Sequence, residues 1–175
     1  MADILAIAGS ASKAAERFRS RDPFSIAEAE GVRVCFYDLG SLNGMYTVLD
    51  GVSFIALSES LGVSEARLVC AHELGHHFLH QSIARTTALA DSTLFSGGGR
   101  LEYEANIFAA ELLVPDEALR EAVKTCPDIA CAASELDVHP EILAVKSEIL
   151  RNKGTDLNPI EIKVDFLRKE LQKRN

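Results

Sequence analysis

The sequence predicts an α+β fold, mostly helical, with a small three-stranded N-terminal sheet, antiparallel or mixed, packed on a central helix. Three observations predict it. Apolar residues recur at helical spacing over most of the chain. Between residues 32 and 57 the period shifts to two. Within that stretch Asp50-Gly51 joins two apolar runs, and this dipeptide favours a tight hairpin. The chain has 175 residues, of which 47% are hydrophobic and 25% charged. That is the length of about one globular domain.

Residues 3–20 place Ile4, Ile7, Ala8, Ala11, Ala15 and Phe18 on one helical stripe. A second helix opens at Asp22 as N-cap with Pro23 in its first turn, and Gly31 closes it. Val32, Val34 and Phe36 alternate with Arg33 and Cys35 as a strand. Residues 40–44 are turn material, and residues 45–49 and 52–57 form the hairpin strands. A helix is expected over 64–80, with Ser64 as N-cap and Val63 stapled to Leu68. Residues 81–100 are rich in Ser, Thr and Ala and end in Gly97-Gly98-Gly99, which predicts a long loop, either bordering a cleft and gating substrate or serving as a simple solvated connection. Leu101, Ala105, Phe108, Ala109, Leu112 and Leu113 mark a helix over 101–114, stopped by Pro115. Short helices are expected over 116–123, 129–136 and 140–152. A last one opens at Asn158-Pro159, with Ile160, Val164, Leu167 and Leu171 as its stripe. We expect residues 1–115 to form the core and 116–175 a helical C-terminal subdomain, together a single compact unit.

Charge and cysteine usage narrow the function. The formal net charge is −8, which disfavours a broad nucleic-acid surface and a polybasic membrane anchor. The apolar run at residues 4–8 follows an acidic residue and is shorter than a secretory core. Cys35, Cys70, Cys126 and Cys131 show no CxxC pair and no framework spacing. They read as reduced, mostly buried thiols of a cytoplasmic protein.

The chemistry concentrates in His72-Glu73-Leu74-Gly75-His76, an H-E-x-x-H sequence. On a helix, residues four apart differ by about 40° around the axis, so both imidazoles leave one face and can meet one Zn²⁺. Glu73 lies about 100° round from His72, where it can act as base toward water. Gly75 lets another backbone or a substrate come close. A third protein ligand is needed. His80 stands about 12 Å along a straight helix from His72, too far to share the metal. His77 and His80 therefore read as outer-face groups or supports, and His139, before Pro140, as a helix-start residue. On the next helix Glu102 shares a face with Asn106, an amide suited to hydrogen-bond the far ring nitrogen of a ligating histidine. Glu104 lies about 200° round from Glu102 and reads as a solvated charge. Glu102 is thus the expected third ligand. Tyr46, Tyr103 and His77 are donors of the type an oxyanion needs.

The stretch from Ala71 to His80, followed by Glu102-Tyr103-Glu104-Ala105-Asn106-Ile107-Phe108-Ala109-Ala110-Glu111-Leu112-Leu113-Val114-Pro115, resembles the ImmA/IrrE family of zinc metallopeptidases. The order H-E-x-x-H then Glu is that of a gluzincin site. Residues 38–46 and 136–154 are similar to the same family, so the resemblance covers roughly residues 22 to 155. It implies a zincin-like architecture and an intracellular bacterial or mobile-element protease. It also implies one Zn²⁺ per chain, held by His72, His76 and Glu102, with Glu73 as general base. The implied substrate is a partner repressor of the helix-turn-helix class.

Two other readings compete. Residues 129–152 can be written as helix-turn-helix, the mark of a DNA-binding regulator. Its basic residues are only Lys146 and Arg151, with Lys153 following, and Glu141 and Glu148 offset them. A packing or partner-docking role suits that charge balance better. Alternatively, the zinc serves a non-catalytic protein-binding module. Structural zinc has no use for Glu73 and usually recruits a fourth protein ligand, often Cys.

Overall fold

Asp3 and Asp22 each start a helix by accepting a backbone N–H three residues on, from Ala6 at 3.1 Å and Ser25 at 2.9 Å. These begin α1 (Ile4–Phe18) and α2 (Pro23–Glu30), and Gly31 ends α2 at φ 78°. The computed structural model describes residues 3–91 and 99–155 of the chain. Among them follow β1 (Arg33–Tyr37), β2 (Gly44–Leu49), β3 (Val52–Ser58), α3 (Val63–Ala84), β4 (Leu89–Asp91), α4 (Arg100–Leu113), α5 (Asp116–Thr125), α6 (Ile129–Glu135) and α7 (Pro140–Asn152). No helix among the described residues is long and apolar enough to cross a membrane. The expected final helix from Asn158 lies outside the described residues.

The sheet is mixed, in the order β1-β3-β2-β4. β1 runs parallel to β3, and β2 pairs antiparallel with both β3 and β4. Asp50 and Gly51 both have positive φ, 50° and 80°, and Leu49 faces Val52. That is the two-residue hairpin the dipeptide predicts. The α+β class and the mixed sheet agree with expectation, but a fourth strand joins the three foreseen. β4 comes from the stretch read as loop, with Leu89, Ala90 and Asp91 opposite Tyr46, Met45 and Gly44. Three residues cannot show a period, and β2 supplies the pairing from more than forty residues away.

Helix α3 differs from expectation at its start. Gly62, not Ser64, is the N-cap, and Glu65 reaches back to accept the Gly62 N–H at 3.0 Å. Ser64 instead donates its hydroxyl to Asp137. Val63 is 89% exposed, so the expected staple to Leu68 does not form.

The core sits between layers. α3 lies with the hairpin strands on one side and α4 on the other, while α1 and α7 pack on α4. Gly75 makes the α3–α4 crossing close. A Cβ there would stand 2.9 Å from the Cα of Ala105. α7 buries Ile142, Leu143, Ala144, Val145, Lys146 and Ser147. The Lys146 ammonium is fully buried and pairs with Glu111 of α4 and Asp116 of α5, each at 2.5 Å.

Candidate metal centre

The middle of α3 is buried on every side. His72 and His76 are each 1% exposed and Glu73 is 0% exposed. One side of the helix meets β2, where a Cβ added to Gly44 would stand 2.7 Å from Glu73 Oε1. The bare backbone at the start of β2 therefore lies against the Glu73 carboxylate. The sequence marks Gly44 only as turn material. Its contact with Glu73 depends on how the sheet meets the helix, which no local signal carries.

The other side of α3 meets α4. His72 Nε2 is 3.1 Å from His76 Nε2 and 3.1 Å from Glu102 Oε2, and His76 Nε2 is 3.5 Å from Glu102 Oε1. Ligand atoms of these three residues lie within 4.8 Å of one another, the one such group of His, Cys, Asp or Glu among the described residues. Two donors ~2.0–2.1 Å from one tetrahedral zinc would stand about 3.3 Å apart. The imidazole pair has that spacing.

Hydrogen bonding decides which ring nitrogens face this point. Asn106 Oδ1 lies 2.8 Å from His72 Nδ1. A carbonyl oxygen only accepts, so His72 carries its proton on Nδ1 and turns a lone pair out at Nε2. The same deduction runs through His80. Glu104 Oε2 is 2.9 Å from His80 Nε2, so that nitrogen donates. His80 Nδ1 then accepts from His76 Nδ1 at 3.0 Å, which leaves His76 Nε2 as a lone pair too. Two ring lone pairs and the Glu102 carboxylate thus converge on one point. A divalent cation satisfies such a set, and the residues present fit one.

The electrostatics agree. Burial raises the Glu102 carboxyl, but when the facing ring nitrogens carry protons, hydrogen bonds and charge from His72 and His76 outweigh it and hold the group well below the usual carboxylate range. Positive charge at this point, a proton or a cation, therefore keeps Glu102 ionised. Burial lowers His76, favouring the neutral imidazole a metal requires. Cys70 is fully buried and outside the three-residue group, and burial pushes its thiol up.

Two sequence expectations about the surroundings change. Glu104 is not a solvated charge. It is 8% exposed and is held by His80 and by Arg100 Nε at 2.6 Å. The partner is His80, at the non-helical step of α3 (φ −126°, ψ 17°), whose ring lies against His76 and reaches Glu104 on α4. His77 instead faces the sheet side. Its Nδ1 is 3.0 Å from the Tyr46 hydroxyl, which is also 3.2 Å from Ser53. Tyr103, on α4, donates to Glu148 of α7 at 3.1 Å. The fold thus gathers His72, His76, Glu102 and Asn106 at one point. Tyr46 and His77 form a pair of their own, and Tyr103 reaches α7.

Comparison with known proteins places the chain among metallopeptidase relatives. The family model Peptidase_M78, described as the IrrE N-terminal-like domain, matches residues 27–148, more than half of the chain. The chain is 34% identical over 102 residues to "Uncharacterized immunity region protein 2" of Bacillus phage phi105, a match covering 58% of this chain and 63% of that protein. It is 28% identical over 100 residues to "Metallopeptidase ImmA" of Bacillus subtilis strain 168, covering 57% and 58%. The chain therefore matches less than two thirds of the length of each relative.

Proposed function

We infer the activity from one premise: this chain belongs to the Peptidase_M78 family, that of the IrrE N-terminal-like domain. The reading is a zinc-dependent metalloprotease that hydrolyses a peptide bond in a partner protein. His72, His76 and Glu102 hold the metal, and Glu73 is the general base. The observation that carries it is the convergence of two imidazole lone pairs and the Glu102 carboxylate beside a fully buried Glu73.

Zinc held there supplies Lewis-acid polarisation of a carbonyl and acidifies water. Glu73 takes a proton from the attacking water on a carboxylate oxygen and returns it to the leaving amide nitrogen. Asn106 and His80 keep both imidazoles in the tautomer that offers Nε2. Gly44, with no side chain, leaves the Glu73 carboxylate in contact with bare backbone.

The proposed substrate is a helix-turn-helix repressor of a mobile element or stress regulon. The names of the two relatives support it: one is an immunity-region protein of a phage and the other a metallopeptidase. The test uses the purified chain with a small repressor encoded beside it. Glu73→Gln is expected to keep stoichiometric zinc and to cut cleavage by about 10²–10⁴-fold. Glu102→Ala is expected to lose both. Undiminished cleavage by Glu73→Gln would overturn the general-base role. Stoichiometric zinc with no cleavage by the wild-type chain would favour a non-catalytic module.

A further inference from the structure

The sequence offers no CxxC motif, yet the fold brings two thiols together. Cys126 is the C-cap of α5, and Cys131 sits in the first turn of α6. Asp128 caps α6 and holds the Cys131 backbone N–H at 2.8 Å, which fixes that turn against the end of α5. The two sulfur atoms are 2.6 Å apart. Their environments differ. Cys131 is exposed, whereas Cys126 is 7% exposed, with Glu135 Oε2 3.3 Å from its sulfur. We propose that Cys126 and Cys131 form a dithiol–disulfide couple, a site of reversible oxidation by low-molecular-weight disulfides of the glutathione class.

The chemistry follows from that asymmetry. The exposed Cys131 thiolate attacks one sulfur of the small disulfide. A sulfur–sulfur bond forms at Cys131 and the first small thiol leaves. Cys126 then passes its proton to Glu135, the carboxylate beside it, and attacks the Cys131 sulfur. The second small thiol leaves and takes up the proton. The net change is two protein thiols oxidised to one disulfide and one small disulfide reduced to two thiols. In the reduced pair the neighbouring Cys131 thiol, burial and Glu135 together push the Cys126 thiol up to about 12, so Cys126 stays protonated while the exposed Cys131 meets the small disulfide first. The bridge ties the end of α5 to the start of α6. A loop this short gains little folding stability from closure, which fits a chemical rather than a structural role.

This couple depends on neither the metal nor proteolysis, so it stands or falls apart from the proposed function. The test incubates the reduced full-length chain with oxidised glutathione and maps peptides without reduction. The expected result is loss of two of the four thiols and a cross-link between Cys126 and Cys131 within one chain. Cys126→Ser is expected to stall as a glutathione adduct on Cys131. Cys131→Ser is expected to leave Cys126 unmodified over the same interval. In Glu135→Gln the mixed disulfide is expected to persist longer. A wild-type chain that accumulates a stable adduct on Cys131, or cross-links between chains, overturns the couple. Closure as fast in Glu135→Gln as in wild type overturns the proton step.

Discussion

Orientation of the His72 and His76 imidazoles hangs on groups outside the candidate three-residue site. Asn106 holds His72, and the chain Arg100, Glu104, His80 holds His76. The H-E-x-x-H spacing made His72, Glu73 and His76 legible, because four residues on a helix always return to the same face. Glu102 was legible through its spacing to Asn106. Glu104 was not, since helical rotation alone places it away from Glu102, toward solvent. His80, across on α3, and Arg100 supply the partners that hold it. Removing such a support typically weakens metal binding by about 10–100-fold. His80→Ala and Glu104→Ala are each expected to show that loss of zinc affinity in chelator competition, with far-ultraviolet circular dichroism unchanged. Wild-type affinity in both variants would show that neither orients His76.

At the level of elements, the crossing of α3 over α4 brings the Glu102 carboxylate to the histidines. Gly75 permits it, with Ala105 backbone atoms where a Cβ would stand. On an isolated helix, Gly→Ala stabilises by roughly 0.5–1 kcal/mol. Here the sign should reverse, because the obstacle is backbone and cannot rotate away. Gly75→Ala is expected to destabilise by about 1–3 kcal/mol in chemical denaturation. It should also weaken zinc binding as Glu102 is levered outward. A stabilised variant would mean the two helices have room to spare. The sequence announced that something approaches at Gly75 and left open whether it is backbone or substrate; the structure identifies Ala105. Elements with strong local chemistry match the expectation closely. Pro140–Asn152 has the expected bounds, and Asp50-Gly51 makes the expected turn. The misread ones were a three-residue strand and a cap decided by Glu65 reaching backward, both cases where a remote or competing partner wins.

Across the molecule, one buried charge network joins the helices that carry the site to those that follow it. Glu111, on the same helix as Glu102, takes Lys146 at 2.5 Å and Lys153 at 2.9 Å, and accepts from the Ser12 hydroxyl of α1 at 2.8 Å. Truncating one partner of a buried ion pair leaves the other charge unpaired, at a cost of about 3–5 kcal/mol. Lys153 remains near both carboxylates, so Lys146→Ala is expected at the lower end, about 3 kcal/mol. If residues 1–115 and the following helices act as one unit, the variant should melt in a single cooperative transition at lower temperature. Two separated transitions would show two units. The helix-turn-helix pattern read over 129–152 takes a different meaning here. The lysine it would offer to DNA is fully buried and paired inside the protein.

The chain's own order of residues determined what is local. A hairpin follows from two positive φ angles, helix starts follow from Asp caps, and a pair of imidazoles on one face follows from 3.6 residues per turn. Tertiary structure alone decided that Glu104 is hidden behind the histidines and which two cysteines meet. Those outcomes depend on where separate elements cross, and crossings are set by close packing between surfaces far apart in the chain.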